Sequence, residues 1–322
     1  MKTSRQSPIH IICFLDGSPG HEKQTLGIIR ALEKRVNVKT TKINVARRSF
    51  WQSFLGIVRL NLPISTTSDM KIVKPDLIIG TGSRTHLSIL HYKKKFNIPA
   101  VTCMAPDPVI RFRFDICFVP VHDGLEQKGN IILTVGPPNC SINKKQHRKD
   151  CGLILIGGID RKSHRWNSSE LKLKTENIVK RKPETQWLIS SSPRTPDDMV
   201  LLLEEISRRY FNVTFYNFKD TEPGWVEQQY DISTTVWVTA DSVSMIFEAL
   251  TAGCKVGALP VDWKKQTNKF LQGITYLEER GFILPYERWF NQNGTWIDHD
   301  NLNEAQRCAD TILKRWWPTN LQ

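Results

Sequence analysis

A chain of 322 residues, 40% hydrophobic and 24% charged, holds enough apolar mass for two domain cores and is neither disordered nor fibrous in composition. Its formal net charge of +13 points to one of three partners: nucleic acid, an anionic membrane face or a phosphorylated substrate. The excess is scattered over Lys93-Lys94-Lys95, Lys144 to Lys149, Lys172 to Lys182 and Lys264-Lys265, with no RNP, zinc-finger or basic-zipper pattern, which argues against nucleic acid.

Ile9 to Leu15 is a continuous apolar run, the mark of a buried parallel strand. The turn-rich Asp16-Gly17-Ser18-Pro19-Gly20-His21 follows, then a helical pattern from Gln24 to Lys34. Strand, glycine loop and helix open a doubly wound domain. Val38 to Val45 and Asp76 to Gly80 read as strands, Arg84 to Lys95 as helix, and Ala100 to Met104, Ile116 to Val121 and Ile131 to Val135 as further strands. Composition then shifts across Pro137 to Asp150, which reads as a hinge. The alternation restarts with strand Leu153 to Ile156, Gly157-Gly158, helix Glu170 to Arg181, strand Gln186 to Ile189 and helix Asp197 to Arg209. Strands Val213 to Phe218 and Val236 to Thr239, helix Ser242 to Ala252 and strand Lys255 to Pro260 come next, and an amphipathic helix, Leu302 to Trp316, ends the chain. The expected architecture is α/β, with two Rossmann-like domains over 1–140 and 150–300 and a 301–322 helix returning to the first.

Seven cysteines, an odd number with no C-x-x-C pair, lie partly inside apolar runs and fit a reducing compartment without a structural metal. Met1 to Pro8 lacks the apolar core of a secretory signal. No run reaches the roughly 18–20 apolar residues of a bilayer span. A cytoplasmic protein able to visit the inner membrane face is expected. Two basic-aromatic stretches, Arg47 to Leu60 and Lys314-Arg315-Trp316-Trp317, suit either an anionic membrane surface or an ordinary core-facing helix.

The most informative stretch is Trp237 to Val261. A strand ends at Thr239, Asp241-Ser242-Val243-Ser244 turns into a helix, and Gly253 closes that helix. Amides and hydroxyls at a helix start can bind a diphosphate, and Glu248, six residues after Ser242, can accept both hydroxyls of a ribose diol. An ordinary βαβ unit with a serine cap has the same spacing.

This stretch resembles the donor-binding block of GT-B glycosyltransferases. One is the bacterial lipid-linked enzyme that adds N-acetylglucosamine to muramyl-peptide carriers. More closely, the chain resembles the ELM-like family, named after a plant mitochondrial-fission protein, whose bacterial members are grouped with glycosyltransferases. The residues carrying the likeness are Asp16-Gly17, Gly20-His21, Gln24, Gly82, Arg84, Pro120-x-His122-Asp123, Gly157-Gly158, Ser191-x-x-Arg194-Thr195-Pro196, and Val238-Thr239-x-Asp241-Ser242-Val243-Ser244-Met245 with Glu248. They span about residues 10 to 285. The resemblance implies a GT-B fold, two domains facing each other across a cleft, and a nucleotide-sugar site in the second. Two features depart from the family pattern: Pro193 stands where a second arginine is common, and Asp262-Trp263-Lys264-Lys265 lengthens the loop after Pro260.

On this footing the donor-binding candidates are Gly157, Gly158, Ser191, Arg194, Thr195, Thr239, Asp241, Ser242, Val243, Ser244, Met245, Glu248 and Lys269. Gly157-Gly158 would let a ligand approach the backbone, and Arg194 would pair with diphosphate oxygens or form a salt bridge at a helix start. Acceptor candidates are Gly17, Gly20, Gly82, Arg84 and His122. A base is needed for an acceptor hydroxyl, and His21, with Asp16 as base or orienting partner, suits that task; the same two residues would serve a plain turn and helix cap. No cofactor beyond the donor is expected and no metal. Asp298-His299-Asp300 reads as a solvated turn rather than a D-x-D metal site, and helix dipoles with basic side chains would stabilise the leaving diphosphate. The expected activity is transfer of a sugar from a nucleotide-sugar to a glycan or lipid-linked glycan of the cell envelope, such as lipopolysaccharide. A non-catalytic adaptor and a nucleotide-sugar epimerase are the alternatives.

Overall fold

The structure, a computed structural model, describes residues 7–46, 73–292, 296 and 302–321. The basic-aromatic stretch from Arg47 to Leu60 and the Asp298-His299-Asp300 turn lie outside them. The chain divides into two compact units, one of Met1–Cys140 with Asn303–Gln322, the other of Ser141–Leu302.

In the first unit the described strands are β1 (Ile9–Leu15), β2 (Val38–Asn44), β3 (Leu77–Thr81), β4 (Ala100–Cys103), β5 (Ile116–Pro120) and β6 (Ile131–Thr134). They form one parallel sheet in the order β2-β1-β3-β4-β5-β6. β3, β4 and β5 are buried along their whole length, which is why they read as unbroken apolar runs. The helices are α1 (Pro19–Glu33), α2 (Ser83–Phe96) and the short α3 (Pro108–Arg111). The last helix of the chain, α10 (Glu304–Trp316), belongs to this unit. Its apolar stripe of Ala305, Cys308, Ala309, Ile312 and Leu313 is buried with Ile28 and Leu32 of α1. Burial of each large member contributes on the order of 1.5–3 kcal/mol, and a charge at Ile312 would strip this helix from the core.

The second unit repeats the design. Its strands are β7 (Arg148–Leu155), β9 (Gln186–Ser190), β10 (Val213–Tyr216), β11 (Ser233–Thr239), β12 (Lys255–Leu259) and β14 (Ile283–Pro285). Their order is β10-β9-β7-β11-β12-β14, all parallel. A short antiparallel ribbon pairs β8 (His164–Arg165) with β13 (Asp262–Trp263). The helices are α4 (Ser168–Arg181), α5 (Asp197–Arg209), α6 (Trp225–Ile232), α7 (Val243–Thr251), α8 (Lys269–Glu279) and α9 (Tyr286–Asn291). Side chains of α4, α5 and α9 share one core with Trp187 and Trp237 of the sheet.

Several boundaries differ from the sequence reading. α1 starts at Pro19 rather than Gln24, because Pro19 fits the first helical turn, so Gly20 and His21 are helical rather than in a loop. β7 begins at Arg148, inside the stretch expected to be a hinge. The helices α6, α8 and α9 carried no expectation; they are only 8, 11 and 6 residues long. All seven cysteines are free thiols. Among the described residues no helix is long and apolar enough to cross a membrane.

Candidate functional site

Each sheet has a point where the chain, having laid down its first strand, extends the sheet on one side and later on the other. Ligands of open α/β sheets bind outside the carboxyl ends of the strands at such a point. In the second unit it lies between β7 and β11. The loops leaving these strands are stapled together: the Gly157 amide donates to Thr239 Oγ1 at 2.7 Å and the Gly158 amide to Asp241 Oδ2 at 3.1 Å. From the β9 side, Ser192 Oγ and Thr195 Oγ1 both donate to the Gly157 carbonyl.

Asp241 is the hub of this cluster. Its side chain is only 1% exposed and takes Arg194 Nη2 at 2.8 Å and Ser242 Oγ at 3.2 Å in addition to the Gly158 amide. A carboxylate buried this far needs such company, since an unpaired buried charge is costly. Arg194, 45% exposed, keeps part of its fork in solvent and also lies 3.4 Å from Ser242 Oγ. Both outcomes foreseen for Arg194 therefore bear on one residue: the salt bridge exists, and the free edge remains. A side chain at Gly157 would collide with Asp241 and Ser242, and one at Gly158 with the Arg194 and Thr195 backbone, so the Cα faces of both glycines pack against protein. The bonds Asp241 receives from Gly158, Arg194 and Ser242 all fall on its Oδ2, while its Oδ1 is buried without a hydrogen-bond partner.

The donors left over lie at the start of α7, whose first amides have no intrahelical acceptor. Val243 is buried, Ser244 is exposed and Met245 half-buried, with the Met245 carbonyl accepting from the Tyr230 hydroxyl at 3.3 Å. Glu248 is buried, 6% exposed, further along the helix. Ser191 is held elsewhere, its hydroxyl accepting from the Phe218 amide at 3.0 Å. Lys269 is exposed on the first turn of α8, its ammonium 5.4 Å from the Phe270 ring. Ser192 was missed from sequence. It is the last of three consecutive serines with nothing in the pattern to single it out, yet it accepts from the Arg194 amide and ties that loop to Gly157.

In the first unit the switch lies between β1 and β3. Asp16, at the end of β1, has a side chain 2% exposed that accepts from the Ser18 amide at 3.0 Å and lies 2.8 Å from His21 Nδ1. An ionised Asp16 puts the proton on Nδ1 and leaves Nε2 as the accepting nitrogen. The His21 side chain is 30% exposed. Gly82, at φ +88°, caps α2 against this pair, and a side chain there would overlap the His21 ring and the Asp16 carboxylate. Arg84 Nη1 reaches the Asp16 carbonyl at 3.4 Å and the Gly17 amide bonds Glu22. Gly20 has open space around it. His122 lies half-buried in a 3-10 turn of Val121–Asp123 after β5. Thus Asp16, His21, Gly82 and Arg84 come together.

His86 was also missed. It lies two residues past Arg84, 3% exposed, its ring edge-on to Phe114 at 5.3 Å with Nε2 buried and unpartnered. Burial, and secondarily the nearby His21, lower its pKa to about 4. Its position on the inner face of α2 was legible; its nearness to His21 was not. Among the described residues no group of three or more His, Cys, Asp and Glu side chains is arranged to hold a metal ion.

Two doubly wound units, each built on a six-stranded parallel sheet, make a two-domain α/β protein of GT-B architecture. Solved structures share this fold. A protein from Listeria monocytogenes assigned as a UDP-N-acetylglucosamine 2-epimerase aligns at TM-score 0.58 and 16% identity, over 95% of each chain. The UDP-GlcNAc 2-epimerase of Methanocaldococcus jannaschii aligns at TM-score 0.52 and 15% identity, over 95% of this chain and 99% of that one. Spinosyn forosaminyltransferase SpnP aligns at TM-score 0.49 and 11% identity, over 98% and 100%. No curated protein sequence matches the chain. The chain belongs to the mitochondrial fission ELM1 family, whose family model matches residues 19–316.

Proposed function

We propose that the protein is a glycosyltransferase that moves a sugar from a nucleotide-sugar donor to a hydroxyl of a glycan or lipid-linked glycan of the cell envelope. The observation that carries this reading is the half-exposed Arg194 guanidinium, anchored on buried Asp241 beside the start of α7. It presents a rigid, permanently charged fork next to unsatisfied helix amides, which is the chemistry of a diphosphate cradle. Diphosphate oxygens would take the outer edge of Arg194, the Val243 and Ser244 amides and the Ser244 hydroxyl. Glu248 would accept the ribose diol, and Lys269 would contact the sugar. The positive end of the α7 dipole would stabilise the diphosphate as it leaves with the electron pair of the broken anomeric C–O bond. The acceptor oxygen would form the new bond to the anomeric carbon, giving its proton to His21 Nε2, while Asp16 steadies the imidazolium. Gly17, Gly20, Gly82, Arg84 and His122 would line the acceptor side. This route needs neither a metal ion nor a cofactor besides the donor. The surplus positive charge would suit a lipid-linked acceptor at the inner face of an anionic membrane, with the protein cytoplasmic and peripheral.

The test is calorimetry of the full chain with UDP, GDP, dTDP and CMP and their sugars. One nucleotide should bind specifically, and Arg194→Ala should weaken it by about 10- to 100-fold, the worth of one or two charge-assisted contacts. Absence of any nucleotide binding, or an affinity indifferent to Arg194→Ala and Glu248→Ala, leaves an adaptor instead. The names of the structural relatives make an epimerase the second reading. An epimerase would convert the bound sugar with no acceptor present, whereas a transferase needs one.

A further inference from the structure

The second unit holds a cavity of about 800 Å³, within the roughly 300–1,000 Å³ of small-molecule sites. It starts one residue past the clamp loops, at Ile159 after Gly158 and Pro196 after Thr195, and runs over Pro260 and Val261. Its far wall is the start of α4 with Trp166. The function proposed above uses none of these residues.

The charges around the cavity decide what it can hold. Arg165 and Lys174 are its cations; Glu170, Asp198, Asp262 and Glu287 are its carboxylates. Both cations are already engaged. Arg165 bridges Asp262 across the β8–β13 ribbon at 3.1 Å. Lys174, 13% exposed, lies 3.2 Å from Glu170 and 2.5 Å from Glu287. Burial works against the Lys174 ammonium, but its bonds to Glu287 and Glu170 prevail and raise its pKa, so it stays charged and committed. Within a protein of net charge +13, the cavity is a local acidic pocket that disfavours phosphate or any carboxylate ligand.

What remains is one aromatic wall, an apolar floor, the Asp198 carboxylate, which takes part in none of these bridges, and the lone pairs that Glu170, Asp262 and Glu287 keep beyond theirs. Trp166 is half-buried against the core, its ring centroid 6.1 Å from that of His164, and its Nε1 is spent on Ser168 Oγ at 2.9 Å, which fixes the indole and leaves the uncovered part that lines the cavity for apolar contact. A pyranose ring matches this set, with an apolar C–H face for the indole and vicinal hydroxyls for the carboxylates. We infer that the cavity bordered by Trp166, Glu170, Asp198 and Asp262 is a saccharide subsite selective for neutral or amino sugars over acidic ones. The inference stands whether or not the Arg194 clamp takes a nucleotide.

The experiment is calorimetry and saturation-transfer NMR on the full chain with chitotriose, its de-N-acetylated amine form, trigalacturonate and spermine. Chitotriose and the amine trimer should bind, with trigalacturonate weaker by about tenfold or more. Trp166→Ala should weaken the neutral trimer by about tenfold while leaving nucleotide affinity unchanged. Should Trp166→Ala fail to fold, Asp198→Asn, on the exposed first turn of α5, should narrow the gap between neutral and acidic trimers by at least about threefold. Preference for trigalacturonate, binding of spermine without any sugar, or neutral-trimer affinity indifferent to both variants would overturn the inference. Loss of nucleotide binding alone would count against the function proposed above and not against this site.

Discussion

The two switch points are built on one plan and differ in what the plan holds. In each, an aspartate at the carboxyl end of a central strand is almost wholly buried: Asp16 at 2% and Asp241 at 1% side-chain exposure. Each fixes a basic partner that remains partly in solvent, His21 at 30% and Arg194 at 45%. Imidazole changes its charge near neutral pH and guanidinium does not. Under the proposed function the first unit would move a proton and the second would hold an anion. The glycines do not divide so simply: Gly157 and Gly158 at the second switch and Gly82 at the first are all backed by protein, whereas Gly20 at the first has nothing within 4 Å of where a side chain would start.

If that division is right, the largest effect belongs to His21. His21→Ala should lower the rate of sugar transfer by roughly 10²- to 10⁴-fold, the range for loss of a general base, with nucleotide affinity unchanged by calorimetry. Asp16→Asn should lower the rate less and, because the tautomer is no longer fixed, be worse than a simple loss of charge. A His21→Ala enzyme with normal turnover would show that the first switch does no proton chemistry.

Gly158→Ala comes next. The new methyl would meet the backbone of Arg194 and Thr195 rather than a movable side chain, so the loop itself must shift. Overpacking of this kind costs about 3 kcal/mol, and chemical denaturation should show it together with loss of nucleotide binding. A stable Gly158→Ala protein that still binds nucleotide would mean the clamp is not the rigid element described above.

How far the sequence could be read follows the same divide. The strands came through because parallel strands buried on both faces are continuous apolar runs, as in Leu77–Thr81 and Ile116–Pro120. The candidate loops came through because strand ends carrying Gly, Ser and Asp are conspicuous. What each residue does there did not. Asp241 and Arg194 are 47 residues apart, and their bond exists only once β9, β7 and β11 are side by side. That the Cα faces of Gly157 and Gly158 meet Asp241, Ser242 and the Arg194 backbone was not legible, because a sequence cannot say what packs against a missing side chain. His86 was overlooked because a histidine on a helix face carries no sign of what lies behind it. The pocket beside Trp166 draws on β8, α4, α5, β13 and α9, of which the two-residue strands and the six-residue helix are too short to leave a periodic trace.

His86 gives the first unit a pH response that sharpens the contrast. Its pKa is about 4 when folded against 6.5 as the ordinary value, chiefly through burial. On unfolding below pH 6.5 it takes up a proton that the folded state refuses, so stability is full above that pH and falls as pH drops toward 4. Between pH 6.5 and 4.5 the loss attributable to His86 should be about 2 kcal/mol. Denaturant titrations of His86→Phe, which keeps an aromatic ring against Phe114, should be flatter than wild type by that amount in the same window. An unchanged slope would mean that His86 is open to solvent.

Gly20→Ala is the smallest effect and the sharpest test of whether the two switches are filled differently. Gly20 is helical, lies in the first turn of α1 and has no neighbour that a methyl would strike. Alanine there removes freedom from the unfolded chain without straining the folded one, so stability should rise by about 0.4–1 kcal/mol. If the open space exists for an acceptor, this stabilised protein should also transfer sugar more slowly, with a raised KM for the acceptor and none for the donor. A gain in stability with unchanged kinetics would make Gly20 a helix position of no functional consequence and leave the acceptor side of the first switch to Gly82, Arg84 and His21. A loss of stability would show that something does occupy that space, and that the first switch is packed as tightly as the second.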